Sequence, residues 1–359
     1  MAVTEEVANE MVPVTILTGF LGAGKTTLLK RILTESHGHK IAVIENEFGP
    51  ESIDNEILVQ DNDEQIIELS NGCVCCTVRG DLLNALTKLK DNREQGKTQF
   101  DRVILETTGM ANPGPVCQTF FMDDEVATYY RLDSIITVVD AKHGMETLDK
   151  QTEAQSQVGF ADRILVSKKD LVTEDEYQAL RQRLVHINPR AHITPVHFGE
   201  ADIQDLLNLH GFNLNTVLDI DPDFLKQEHA DHEHHDHDHG HGHECGADCN
   251  HEHHHHHHHH DDSIGAFVFT SDRAFDPVLL EDFLGGVVQV YGPDLYRYKG
   301  ILYIQGIKQR MLLQGVHMMI GTEPGKAWQN EKPYNKIVFI GHQLPKAVLL
   351  KGLEQCLAK

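Results

Sequence analysis

The 359-residue sequence predicts an α/β chain in three parts: a layered domain on a mainly parallel sheet, a His-rich disordered linker and a small α+β domain. Three observations predict it. Residues 12 to about 200 alternate short apolar runs with helix-period stretches, that patterning stops between 219 and 262, and it resumes at Ile264. A chain of this length exceeds what one core comfortably supports, so the expected division is a flexible 1–11, then 12–212, 213–263 and 264–359.

In the first domain the strand candidates are 14–18, 41–45, 65–69, 102–107, 134–140, 163–167 and 193–196. Most are near-continuously apolar, as strands covered on both faces must be. Helix candidates at 26–35, 79–93 and 174–187 lie between them. In the last part 265–270, 295–304, 311–319 and 337–340 read as strands, with helices at 277–291 and 346–357.

Charge excludes some partners. With 31 basic and 55 acidic residues the net charge is −24, and such a surface repels phosphate backbones, so no nucleic-acid partner is expected. No apolar run approaches the roughly 20 residues that span a bilayer, so no membrane partner is expected. The opening MAVTEEVANEMVP lacks the basic-then-apolar order of a secretory signal, which sets a cytoplasmic expectation. The acidity is concentrated: residues 227–272 hold eleven acids and no Lys or Arg. The same stretch carries 17 His between His229 and His260. Nothing in it can bury a core, and neutral imidazoles on a flexible segment bind zinc, nickel, cobalt or copper loosely and adaptably. Capture or buffering of metal is the expected role.

Gly19-Phe-Leu-Gly-Ala-Gly24-Lys25-Thr26 fits G-x-x-x-x-G-K-[ST] between a strand and a helix. Glycines let backbone N–H groups turn toward an anion, Lys25 reaches β- and γ-phosphates, and Thr26 offers its hydroxyl to Mg2+. The helix that starts here points its positive end at the same charge. Glu106, followed by Thr-Thr-Gly109, ends a later strand, where an acid suits a magnesium-linked loop that senses the γ-phosphate. Ser167-Lys168-Lys169-Asp170 ends another strand. Guanine-binding proteins use Asn-Lys-x-Asp at such a place, with the Asp accepting two hydrogen bonds from the base, so Asp170 favours GTP over ATP. Here Ser167 stands where Asn is expected.

Three of the seven cysteines crowd into Gly72-Cys73-Val-Cys75-Cys76. Thiolates are soft ligands for zinc and copper(I), and C-x-C brings two sulfurs to one ion. Three sulfurs leave a tetrahedral site incomplete, and Glu45 and Glu47 at the end of the second strand are the candidate contributors. His186, His192, His197 and His317 have no partner in the local sequence and read as structural, and Trp328 reads as packing.

GFLGAGKTT, IENEFG, NGCVCC, ETTGMANPGP and Ser-Lys-Lys-Asp, in that order, resemble the CobW-type metallochaperone GTPases, in particular the YjiA-like branch, with a His-rich insertion. RYKGILYI, LLQGVH and VFIGHQLP resemble that family's C-terminal domain. The resemblance implies a P-loop GTPase, turning GTP to GDP and phosphate, that delivers Zn2+, with Co2+ or Ni2+ as alternatives, to a client metalloprotein. It assigns nucleotide binding to Gly22, Ala23, Gly24, Lys25, Thr26 and Thr27, with Lys168 and Asp170 at the base, and metal to Cys73, Cys75 and Cys76. Asp54 would join Lys25, Thr26 and Glu106 in catalysis from the first switch region. A monomer or weak homo-oligomer is expected. Two rivals stand beside this reading: a His-rich storage and buffering protein with weak GTPase activity, and an ATP-dependent kinase-like enzyme.

Overall fold

A computed structural model describes residues 11–45, 65–68, 78–212, 220, 262–329 and 331–358. The apolar runs of the first part are strands β1 (Val12–Gly19), β2 (Ile41–Glu45), β3 (Gln65–Glu68), β4 (Arg102–Glu106), β5 (Tyr130–Asp140), β6 (Arg163–Ser167) and β7 (His192–Pro195). They form a seven-stranded sheet in the order β3-β2-β4-β1-β5-β6-β7, with every pairing parallel. Near-complete burial of β1, β2 and β5 follows from helices on both faces. The helices are α1 (Lys25–Thr34), α2 (Val78–Glu94), α3 (Pro113–Met122), α4 (Asp124–Tyr129), α5 (Gly144–Lys150), α6 (Thr152–Phe160), α7 (Glu174–Ile187) and α8 (Ile203–Leu207). Parallel pairing sets the carboxyl ends of β1, β2 and β4 beside one another, where the crevice of an open α/β sheet forms.

The last part holds β8 (Ile264–Ser271), α9 (Pro277–Tyr291), β9 (Leu295–Leu302), β10 (Gln309–Val316), β11 (Met319–Ala327), β12 (Asn335–His342) and α10 (Lys346–Gln355). Its five strands run β11-β10-β9-β12-β8, all antiparallel. Alternation along β12 explains the layering. Ile337 and Phe339 enter a core under α9 and α10, whereas Val338 and Ile340 join the core of the parallel-sheet domain. The second sheet therefore buries one face on its own helices and the other against α6 and α7. Arg297 on β9 pairs with Asp162, just before β6, at 2.7 Å across that boundary, and both side chains are nearly inaccessible.

Three expectations needed correction. The run read as one strand at 311–319 is strand only to Val316, where β10 ends; His317 and Met318 turn the chain, and Met319 begins β11, which continues to Ala327. Strand β5 begins at Tyr130, four residues before the expected start at Ser134. Between β4 and β6 lie four helices that apolar patterning alone did not signal. The His-rich segment lies outside the described residues.

Candidate nucleotide and metal site

The site is built on the loop between β1 and α1. Gly19 leaves β1 at φ 140°, and a Cβ there would stand 2.2 Å from the Val138 carbonyl oxygen, so only glycine fits against β5. Gly24 caps α1 in the left-handed region, at φ 101°. Gly22, Ala23, Gly24, Lys25, Thr26 and Thr27 thus occupy the loop and the first turn of a helix whose early N–H groups face outward from the sheet's carboxyl edge. Lys25 Nζ donates to the carbonyls of Gly19 at 3.0 Å and Phe20 at 3.1 Å, curling back on its own loop. Burial lowers its pKa, and the Glu106 carboxylate opposes that shift by favouring the ammonium.

Glu106 stands at the end of β4, and Thr26 Oγ1 donates to its Oε1 at 3.4 Å. Thr107 Oγ1 donates to Thr18 Oγ1 at 2.7 Å, which fastens the start of the following loop to β1. In the sheet register Glu45 pairs with both Glu106 on β4 and Glu68 on β3, so three acids end neighbouring strands. Glu45 itself is 8% exposed. Two hard oxygens, Thr26 Oγ1 and Glu106 Oε1, facing each other next to a phosphate-type loop, fit a magnesium ion.

The element after β6 clasps the same loop from the other side. Ser167 Oγ lies 2.7 Å from the Ala23 carbonyl oxygen and 3.2 Å from that of Val139. Lys168, at φ 57°, donates to the Gly22 carbonyl at 2.9 Å and pairs with Asp140 Oδ2 at 2.6 Å. Asp140 also accepts from the amides of Lys142 and His143, so it is a fixed anchor. Asp170 borders a cavity of about 420 Å³ lined by Lys169, Val172, Glu174, Pro195, Val196 and His197. His197 Nδ1 lies 3.5 Å from Asp170 Oδ1, so this histidine, read from sequence as structural, sits beside the acid expected to read guanine. No local pattern signalled it: His197 follows β7, and only the β6–β7 pairing brings it to Asp170. A larger cavity of about 680 Å³ lies around His37–Ile41 and Gly96–Gln99, at the amino ends of β2 and β4 and away from this chemistry.

The structure thus brings Lys25, Thr26 and Glu106 together, with Glu45 in register beside them and Lys168 on the loop's far flank. Glu47, Asp54, Cys73, Cys75 and Cys76 lie outside the described residues. Among the described residues no group of three or more His, Cys, Asp or Glu forms a metal cluster.

A wholly parallel sheet, a glycine loop leading into a helix, a buried loop lysine and an acid ending the adjacent strand define a P-loop nucleotide-binding protein. Residues 13–195 match the CobW/HypB/UreG nucleotide-binding domain, and 264–357 match the cobalamin synthesis protein cobW C-terminal domain. The chain belongs to the CobW/HypB/UreG family. It is 41% identical to the zinc chaperone YjiA of Escherichia coli over 93% of this chain and 95% of that one. It is 33% identical to the zinc chaperone CobW of Pseudomonas aeruginosa over 96% and 92% of the two chains. Among solved structures, zinc-bound YjiA GTPase from E. coli superposes with a TM-score of 0.74 at 34% identity, covering 97% of this chain and 99% of that one.

Proposed function

We propose that this chain is a GTP-hydrolysing metallochaperone that binds zinc and passes it to a client metalloprotein. The observation that carries the reading is the meeting of Lys25, Thr26 and Glu106 at the carboxyl ends of β1 and β4, in a chain so similar along its length to zinc chaperones. Lys25 exchanges its two loop carbonyls for the β- and γ-phosphates of GTP, and its charge offsets the charge that grows there during transfer. Thr26 and Glu106 hold magnesium, which neutralises phosphate charge when bound. Asp170 reads guanine, and His197 sets the direction of its carboxylate. Asp54 acts from the first switch region. Cys73, Cys75 and Cys76 bind the cargo zinc, with Glu45 or Glu47 completing the set, and cobalt or nickel is accommodated by the same donors less selectively.

In this reading residues 12–212 are the catalytic unit, 213–263 a metal-capturing linker and 264–359 the second folded unit, in a cytoplasmic protein that works as a monomer or weak homo-oligomer. Among the described residues no helix is long and apolar enough to cross a membrane.

Zinc titration against a competing chelator, with and without a non-hydrolysable GTP analogue, tests the coupling. GTP and metal must change each other's affinity by the same factor. Equal zinc affinity in both arms removes nucleotide-gated delivery. Deleting 229–260 is expected to lower zinc stoichiometry and spare the tightest site, whereas Cys75→Ala weakens that tightest site. Loss of the tightest site on the deletion would transfer the function to the buffering reading.

A further inference from the structure

Helix α6 has an unusual composition for an interior position. Gln155, Ser156 and Gln157 are all buried, and Gln157 is 0% exposed. Its Nε2 donates to two carbonyls of the loop that follows Glu106: Gly109 at 3.2 Å and Ala111 at 3.0 Å. Its backbone carbonyl accepts from Thr137 Oγ1 of β5 at 2.8 Å, which fixes the helix to the sheet at this residue. Met110, between the two gripped carbonyls, is 56% exposed, so the apex of the loop is held from beneath and faces outward. Gln157 Oε1 has no hydrogen-bond partner among the described residues. A buried amide with an unpaired oxygen is a poor way to fill space, since leucine or methionine would do so without that cost. What the side chain supplies here is its pair of N–H donors.

The adjoining face of α6 meets the second sheet. Ser156 Oγ lies 3.1 Å from the Tyr296 hydroxyl on β9, and the Phe160 and Tyr296 rings stack at 4.6 Å. At Gly159 a Cβ would stand 3.1 Å from Tyr296 and 3.2 Å from Ile264, so helix and sheet touch with no room to slide. One rigid helix therefore joins the loop beyond Glu106 to the second domain.

We propose that Gln157 is a positioning residue that sets the 109–111 segment for GTP hydrolysis, and that α6 lets the C-terminal sheet govern that setting through Tyr296. The consequence for turnover rests on the GTPase reading above; the clamp itself does not. Gln157 is wholly buried beneath the loop and bonds only backbone carbonyls, so its loss changes the rate of hydrolysis more than the affinity for nucleotide.

The experiment compares the full-length wild type with Gln157→Leu, Gln157→Glu and Tyr296→Phe. Two quantities are read: amide hydrogen exchange of the 107–114 segment without nucleotide, and kcat and KM for GTP with magnesium. In Gln157→Leu exchange of the segment quickens about tenfold and kcat falls about tenfold, while KM stays within about twofold, because the segment is displaced and the P-loop is not. Gln157→Glu, of equal size, is protonated in this buried setting and keeps one O–H donor for two carbonyls, so it falls between the wild type and the leucine variant. Tyr296→Phe keeps the ring and removes only the hydroxyl, and both exchange and kcat shift by about threefold in a chain with wild-type melting temperature. Wild-type exchange of the 107–114 segment in Gln157→Leu overturns the clamp. Should that variant fail to fold, Tyr296→Phe decides: wild-type exchange and kcat there overturn the proposal. A wild type that hydrolyses no GTP removes the GTPase reading, and the nucleotide-free exchange still decides the clamp.

Discussion

At the scale of single residues, the site is governed by what each charged group is allowed to touch. Lys25 is buried and occupied by two carbonyls of its own loop, so it is a cation already stripped of most of its water. Lys25→Ala is expected to lower kcat for GTP about a hundred- to a thousandfold, the usual loss of one preorganised charge donor, measured by phosphate release. His317 makes a different point. Its Nδ1 faces the Gly292 carbonyl at 3.2 Å, and its ring packs on Phe160 and Tyr296. Burial holds its pKa below the ordinary value of 6.5, against the raising influence of hydrogen bonds to the Gly292 and Pro293 backbone and of the Asp294 charge. The unfolded chain thus takes this proton first as the pH falls. The contribution of His317 to stability is complete above about 6.5 and is lost on acidification toward the lower folded value. His317→Asn, chosen because asparagine tolerates the φ of 50° found there, should flatten the decline of melting temperature between neutral and mildly acidic pH relative to wild type. An unaltered slope would detach that decline from His317.

Among the elements, the strands were the most legible from sequence, because a strand buried on both faces writes itself as an unbroken apolar run. Helices α3 and α6 were not, for opposite reasons. Pro113, Gly114 and Pro115 show no helical apolar period, yet they start α3, where proline costs no hydrogen bond and Asn112 caps the Gly114 amide at 2.9 Å. Helix α6 is covered on several sides, so no polar stripe marks a periodicity. Strand β11 was missed because its side chains are mostly exposed and include Gly321, Pro324 and Gly325. For the site, the P-loop and Glu106 could be read locally, whereas His197 and the clasp of Lys168 on Gly22 exist only through tertiary pairing. The entry to α3 carries its own prediction. A Cβ on Gly114 would stand 2.4 Å from His317 Nε2 and 3.1 Å from Phe160. Gly114→Ala should cost about 1–3 kcal/mol by overpacking. In a His317→Asn background the cost should shrink, and denaturant melts of the double-mutant cycle would reveal the coupling; strict additivity would deny the contact.

For the whole molecule, the second sheet shares a continuous apolar core with the first domain and adds a buried ion pair across the join. Asp162 also accepts from the Ile135 amide at 2.9 Å, and Arg297 stacks over the Phe212 ring at 3.8 Å. Pulling the sheets apart would strand charge in an apolar setting, so the described parts should unfold in one calorimetric transition. Asp162→Asn leaves Arg297 uncompensated and should destabilise by about 3–5 kcal/mol, measured by urea unfolding. Two separated heat-capacity peaks in the wild type would refute this unity. At the far rim of the second sheet lies β11, with Glu323 opposite Leu312 and Pro324 opposite Met311. A ladder seeking to grow there meets a missing donor, two charges at Glu323 and Lys326, and glycines on either side of Glu323 and Pro324 that blunt any flat template. That border resists amyloid-like accretion between copies of the chain.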